Sequence, residues 1–173
     1  MNMNVILRAV AYAAYAALLV SWPLRLKKLR RKAGAPVLPL KRKQNALMYA
    51  VLVCAPLLIV LQTVRDFGLP VNAVLCGCAL FGAEVVIRDR ILGGMAGVYE
   101  HALVADGRFF LLSDITALPT LSYEDGSEQE SLYARSLKVV TRTSGVVFIG
   151  FADENERNAA VDVLVKLKPE LKS

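Results

Sequence analysis

Long apolar runs separated by charge clusters fill the first half of the chain, and short alternating runs fill the second. The first run, residues 5–24, holds one charge, Arg8. At ~1.5 Å of rise per residue, a helix of about 20 residues crosses a hydrocarbon core of ~30 Å. Trp22 stands near the end of the run, where an interfacial aromatic is expected. A cleaved signal peptide would need a small-residue cleavage site after the apolar core; here Trp22-Pro23 leads into a dense run of Lys and Arg, which predicts a retained anchor. The second run, residues 46–64, turns polar at Gln62-Thr63 and contains Pro56, which a membrane helix tolerates with at most a kink. After the short break Arg65-Asp66-Phe67-Gly68, residues 69–87 form a third run, closed by Arg88-Asp89-Arg90. So short a break predicts a tight antiparallel hairpin of the second and third helices. The pattern predicts three transmembrane helices.

Beyond the connection at residues 91–97, the period shortens. Asp106-Gly107 between apolar runs is a hairpin signal, because Asp-Gly suits a type I′ turn. Strands are expected at residues 98–105 and 108–115, then at 117–123, 132–142 and 146–151, with a polar loop at 124–130. The chain ends in a helical pattern. Asp153 is placed to cap it and Glu156 to complete a capping box, Ala160, Val161, Leu164 and Leu167 share one face, and Pro169 ends it. The expected fold class is thus a helical membrane region, residues 1–91, joined to an α+β domain, residues 97–173. That domain has about five antiparallel strands and a C-terminal amphipathic helix lying across the sheet.

Charge orients this arrangement. Residues 1–91 carry 13 Lys and Arg against 3 Asp and Glu, a net +10, and residues 92–173 carry 8 against 12, a net −4. The overall +6 therefore describes no single surface, and such a split disfavours a nucleic-acid-binding protein. The loop at 25–45 holds Arg25, Lys27, Lys28, Arg30, Arg31, Lys32, Lys41, Arg42 and Lys43 and no acidic residue. Positive charge in short loops stays in the cytoplasm. The expected location is a cell membrane, multi-pass, with the N-terminus outside and the C-terminal domain cytoplasmic.

The domain carries a resemblance. Gly97-Val98-Tyr99-Glu100-His101-Ala102-Leu103, then Asp106-Gly107-Arg108-Phe109-Phe110, then Ser113-Asp114-Ile115 resemble a pattern of small bacterial membrane proteins of unknown function. Their cytoplasmic module is similar to a bacterial pleckstrin-homology domain. The resemblance covers residues 97–168; Ala102 stands in place of the pattern's glycine and Leu112 in place of its aromatic. It implies a pleckstrin-homology-like fold, which has seven strands where the pattern here shows five, and it implies no catalytic residues.

Candidate chemistry is sparse. Cys54, Cys76 and Cys78 all lie in apolar runs, which is no disulfide framework, and the lone His101 gives little basis for a zinc site. No cofactor and no metal are expected. The nine basic loop residues are candidates for contact with anionic lipid headgroups or an acidic partner, set against the simpler reading that they only fix topology. Glu84, inside the third run, is a functional candidate by position, but its i,i+4 spacing to Arg88 predicts an intramembrane ion pair. Ala73, Gly77, Cys78 and Gly82 place small residues at helical spacing, which predicts packing between helices of the chain or, more sharply, a homo-oligomer. The leading expectation is a non-enzymatic membrane protein presenting a small interaction or scaffolding domain to a protein partner. The alternatives are a membrane-embedded enzyme built around Glu84 and Asn72, or a transporter subunit.

Overall fold

The computed structural model describes residues 3–41, 46–65, 67–119 and 135–172. They form two compact units, one comprising residues 1–27 and 44–91, the other residues 28–43 and 92–173.

The first unit is helical. It holds most of α1 (Met3–Ala33), all of α2 (Ala46–Val64) and most of α3 (Leu69–Gly93). Among the described residues, α1 and α3 are long and apolar enough to cross a membrane. The bounds of α2 coincide with the second apolar run, whereas α1 runs nine residues beyond the first, through Pro23. Lys and Arg are good helix formers, so the basic run gives no reason to stop. Its cations complement the partial negative charge of the helix C-terminus, where Arg30, Arg31 and Lys32 occupy the last turn. Gly34 ends the helix in the left-handed region at φ +83°, and its N–H donates to Arg30 O at 3.2 Å.

Helices α2 and α3 form the expected antiparallel hairpin. Near the turn, buried Cys76 donates its thiol hydrogen to Gln62 Oε1 at 3.1 Å; farther away, Gly82 faces Val51. The buried face of α3 is made by Asn72, Cys76, Ala79, Ala83, Val86 and Ile87. Large apolar side chains remain exposed on all three helices, among them Val20 and Leu24, Leu57 and Val64, Val74 and Phe81.

The second unit is α+β. Its strands are β1 (Pro36–Pro39), β2 (Gly97–Tyr99), β3 (Ala102–Ala105), β4 (Arg108–Leu111), β5 (Ile115–Ala117), β6 (Ser136–Thr141) and β7 (Gly145–Gly150). They make two antiparallel sheets, ordered β1-β2-β3-β4 and β5-β6-β7. Seven strands replace the five expected, for two reasons. Residues 98–105 split into β2 and β3, because the polar pair Glu100-His101 turns the chain and brings Val98 opposite Leu103. The other strand, β1, comes from the basic loop upstream of α2. The turn at Asp106-Gly107 is as expected, both residues having positive φ, as a type I′ turn requires. The strand predicted at 132–142 appears as β6, and its first residues, like most of the run at 117–123 and the loop at 124–130, lie outside the described residues.

Helix α4 (Glu154–Leu167) follows β7. Asp153 caps it, accepting from Glu156 N–H at 2.8 Å, and buries Ala160 and Leu164 in a core shared with Val98, Leu103, Leu137 and Ile149. Pro169 opens a short 3-10 turn that places Leu171 in the same core.

Candidate functional site

In the helical unit the chemistry converges on one pair. Arg25 Nη1 donates to Glu84 Oε1 at 2.5 Å, linking α1 to α3, with each side chain about two-fifths exposed (42% and 41%). Spacing along one helix predicts Arg88 as the partner of Glu84; the geometry supplies Arg25 from another helix instead, and Arg88 is exposed. Glu84 Oε2 is shielded from solvent and has no hydrogen-bond partner among the described residues. Around this pair lies a groove of about 540 Å³, walled by Ala14, Ala17, Leu18 and Leu80 and floored by Ser21, Arg25 and Glu84.

Asn72 does not belong to this site. It is buried near the other end of α3, its Nδ2 donating to Phe67 O at 3.0 Å. Twelve residues of helix put it ~18 Å along the axis from Glu84, too far for both to hold one reacting group. The small residues of α3 also divide. Ala73, Gly77 and Cys78 are exposed, and a side chain on Gly77 would meet nothing within 4 Å. Of that group only Gly82 lies against a neighbour, where a Cβ would come within 3.3 Å of Val51.

The basic segment is split between two roles. Lys27, Lys28, Arg30, Arg31 and Lys32 are exposed along the end of α1, and no ion pair engages them among the described residues. Lys41, by contrast, is held inside its own unit. Its Nζ lies 2.6 Å from Asp153 Oδ2, and its backbone N–H donates to Glu156 Oε1. Among the described residues, the acidic groups that meet Lys41 are those at the N-terminus of α4. Glu156 uses its other oxygen to accept from Ala152 N–H at 2.9 Å, so it clamps β1's end to the start of α4 rather than closing a simple capping box. Arg42 and Lys43 lie outside the described residues.

Electrostatics follow from these contacts. The hydrogen bond from Lys41 holds Asp153 below its ordinary 3.8, and the same bond holds Lys41 above its ordinary 10.5. Burial raises Tyr99, opposed by the charge of Arg30; the Tyr99 hydroxyl donates to Met95 O at 2.9 Å.

Segment 33–41 is stitched to the domain by its backbone. His101 N–H donates to Ala33 O at 2.9 Å, Glu100 N–H to Ala35 O at 3.1 Å, and Leu40 N–H to Ala96 O at 3.1 Å. The Glu100 carboxylate accepts from Ala35 N–H at 3.0 Å. Gly97 permits the close approach of β1 to β2, since a Cβ there would lie 2.8 Å from Leu38 O. Leu38 and Leu40 pack on the core. The only sequence signal for these residues is an apolar run bounded by Pro36 and Pro39 inside a basic loop, with prolines at positions an edge strand accepts. Comparison with known proteins gives no match: no family model, curated protein or solved structure aligns with this chain.

Proposed function

We propose that the chain is a three-span membrane protein that presents a small, non-enzymatic, pleckstrin-homology-like domain at the cytoplasmic face, where it binds a protein segment or supports an assembly. The observation that carries this reading is the pairing of β1 with β2, whose register sets Leu38 opposite Val98 and Pro39 opposite Gly97. One strand precedes the α2–α3 hairpin and the other follows it, yet the two are hydrogen-bonded neighbours in one sheet. The hairpin therefore leaves and returns to the same side of any membrane. If α3 spans, α2 must span in the opposite sense. The nineteen residues of α2 reach ~28 Å as a helix, close to a hydrocarbon core.

Two further observations support the reading. Val and Leu side chains are exposed on all three helices, with Phe81 beside them on α3, as a lipid-facing surface requires. In the second unit, the described residues form sheets of four and three strands with a C-terminal helix; six of those strands lie in residues 97–168, the stretch that resembles the seven-stranded fold, and β1 adds a strand from outside it. The exposed cations Lys27, Lys28, Arg30, Arg31 and Lys32 are suited to anionic headgroups, each contributing ~1 kcal/mol near such a surface. The distance between Asn72 and Glu84 weakens the enzyme alternative.

Topology reporters test the reading. Fusions after residue 67 and after Ser173 should report outside and inside. A C-terminal reporter active outside the cytoplasm overturns the orientation, and identical sides for both overturn the span count. For the scaffold reading, cross-linked partners captured from membranes should be retained by Glu84→Gln.

A further inference from the structure

We propose that the groove around Arg25 and Glu84 is a binding site for a phospholipid with a primary-amine headgroup, of the phosphatidylethanolamine class. The inference rests on the membrane-spanning reading of α1 and α3. The groove has the two parts that such a lipid needs. Its walls, Ala14, Ala17, Leu18 and Leu80, are apolar and partly small, leaving a channel along α1 for an acyl chain. Its floor is a cation and an anion side by side. Both charges stand where their apolar runs end, Arg25 just after residues 5–24 and Glu84 one turn before Arg88-Asp89-Arg90, which is the depth of lipid headgroups.

Charge complementarity selects the headgroup. Arg25 uses Nη1 on Glu84, and its guanidinium has further N–H donors for a phosphate. The Glu84 carboxylate has spent only Oε1. Oε2 is turned away from solvent, but the terminal torsion of a glutamate is broad, and a modest rotation brings a carboxylate oxygen into the groove to accept from an ammonium N–H. Ser21 Oγ donates to Leu18 O at 2.7 Å and keeps lone pairs for a second such bond. A zwitterion with phosphate on Arg25 and ammonium on Glu84 satisfies both ends. An anionic glycerol headgroup would leave two anions, carboxylate and phosphate, sharing the single Arg25 cation. A choline headgroup carries the positive charge but has no N–H to give.

The test uses the full chain, loaded with an equimolar mixture of phosphatidylethanolamine, phosphatidylcholine and phosphatidylglycerol of matched acyl chains, and reads retained lipid by native mass spectrometry. The expected result is a roughly tenfold preference for the ethanolamine lipid over the glycerol lipid, equivalent to ~1.4 kcal/mol. Glu84→Gln should reduce ethanolamine-lipid retention to the level of choline lipid. Ala17→Leu, at an exposed position of α1, should narrow the channel and lower retention while leaving the ion pair in place, so the test stands even if removing the carboxylate disturbs folding. Equal retention of all three lipids, or retention unchanged in both variants, overturns the proposal. Alkaline carbonate extraction separates the two readings. Release of the chain from membranes overturns the spanning reading, whereas an integral chain without lipid preference overturns only the lipid site.

Discussion

A chain fragment that begins after α3 should lack the stability to fold, because the domain's edge strand lies before α2. Cutting the chain at Leu92 removes β1 and its attachments. Four hydrogen bonds go with it: His101 N–H to Ala33 O, Glu100 N–H to Ala35 O, Leu40 N–H to Ala96 O, and Ala35 N–H to the Glu100 carboxylate. At ~1 kcal/mol net each, these contribute about 4 kcal/mol, to which the β1–β2 ladder adds. Leu38 and Leu40 are partly buried against the core, and losing each costs about 1 kcal/mol. The sum, about 6 kcal/mol, compares with a total stability of about 5–15 kcal/mol for a whole domain. A unit of this size has a small core and belongs to the lower part of that range.

The remedy follows from the register. Leu40 N–H already donates to Ala96 O, so the ends of β1 and β2 are a hydrogen bond apart, and a two-residue Asn-Gly turn can replace residues 41–95. The fused chain, residues 28–40, Asn-Gly and residues 96–173, should unfold cooperatively in urea. The fragment 92–173 should show no cooperative transition at 25 °C, and Leu40→Ala in the fused chain should lie between them, lowered by about 1 kcal/mol. All three are followed by far-UV circular dichroism, since Trp22 lies outside every one of these chains. Equal urea midpoints for fragment and fused chain would refute the assignment of β1 to the domain.

Other predictions follow from single contacts. Gly97→Ala places a Cβ 2.8 Å from Leu38 O and should destabilise the fused chain by ~1–3 kcal/mol, whereas Gly77→Ala, with nothing within 4 Å, should leave the full chain's thermal midpoint unchanged or raised. Asp153 has its pKa lowered, so its contribution is present above pH 3.8 and is lost as pH falls through the lowered value. Lys41 has its pKa raised, so its contribution is present below pH 10.5 and is lost as pH rises through the raised value. Lys41→Met should flatten the thermal midpoint of the full chain against pH in both windows, and a profile that keeps its shape counts against the contact.

Where structure was legible in the sequence, the signal was local. The ends of α2, the Asp106-Gly107 turn and the Asp153 cap each depend on a few neighbouring residues, and each is found. What was not legible depends on partners distant in sequence. The four residues of β1, two of them prolines, carry little signal of being a strand until β2 lies beside them, and β2 comes after α2 and α3. Glu84 illustrates the same limit at a site. Its i,i+4 neighbour Arg88 satisfies every local rule, but the carboxylate is taken by Arg25, 59 residues away, because helix packing brings that guanidinium within 2.5 Å. The small residues at 73, 77 and 78 keep helical spacing, yet spacing does not say which face is covered, and the packed face of α3 is turned toward Cys76, Ala79 and Ala83.

The divided domain also constrains how the chain can assemble. Strand β1 is synthesised before α2 and α3, and it has no sheet to join until β2 and β3 follow. Its contacts are non-local, so closing them costs loop entropy that a short turn would spare, and that cost grows only slowly with loop length. A folded hairpin shortens the effective loop, because α2 and α3 run antiparallel. On the three-span reading, a chain in which α2 failed to insert while α3 crossed would place β1 and β2 on opposite sides of the bilayer. Such a chain could not form the Leu38–Val98 register, and Leu38 and Leu40 would be denied the core. On that reading, completion of the sheet requires correct insertion of the hairpin, and the stability of the second unit reads out membrane topology. Substituting Arg for Val60, an exposed residue of α2, should impair insertion and, with no substitution in the domain itself, expose it to proteolysis from the cytoplasmic side. A domain that stays protease-resistant in that variant would separate the two events and show that β1 reaches β2 by another route.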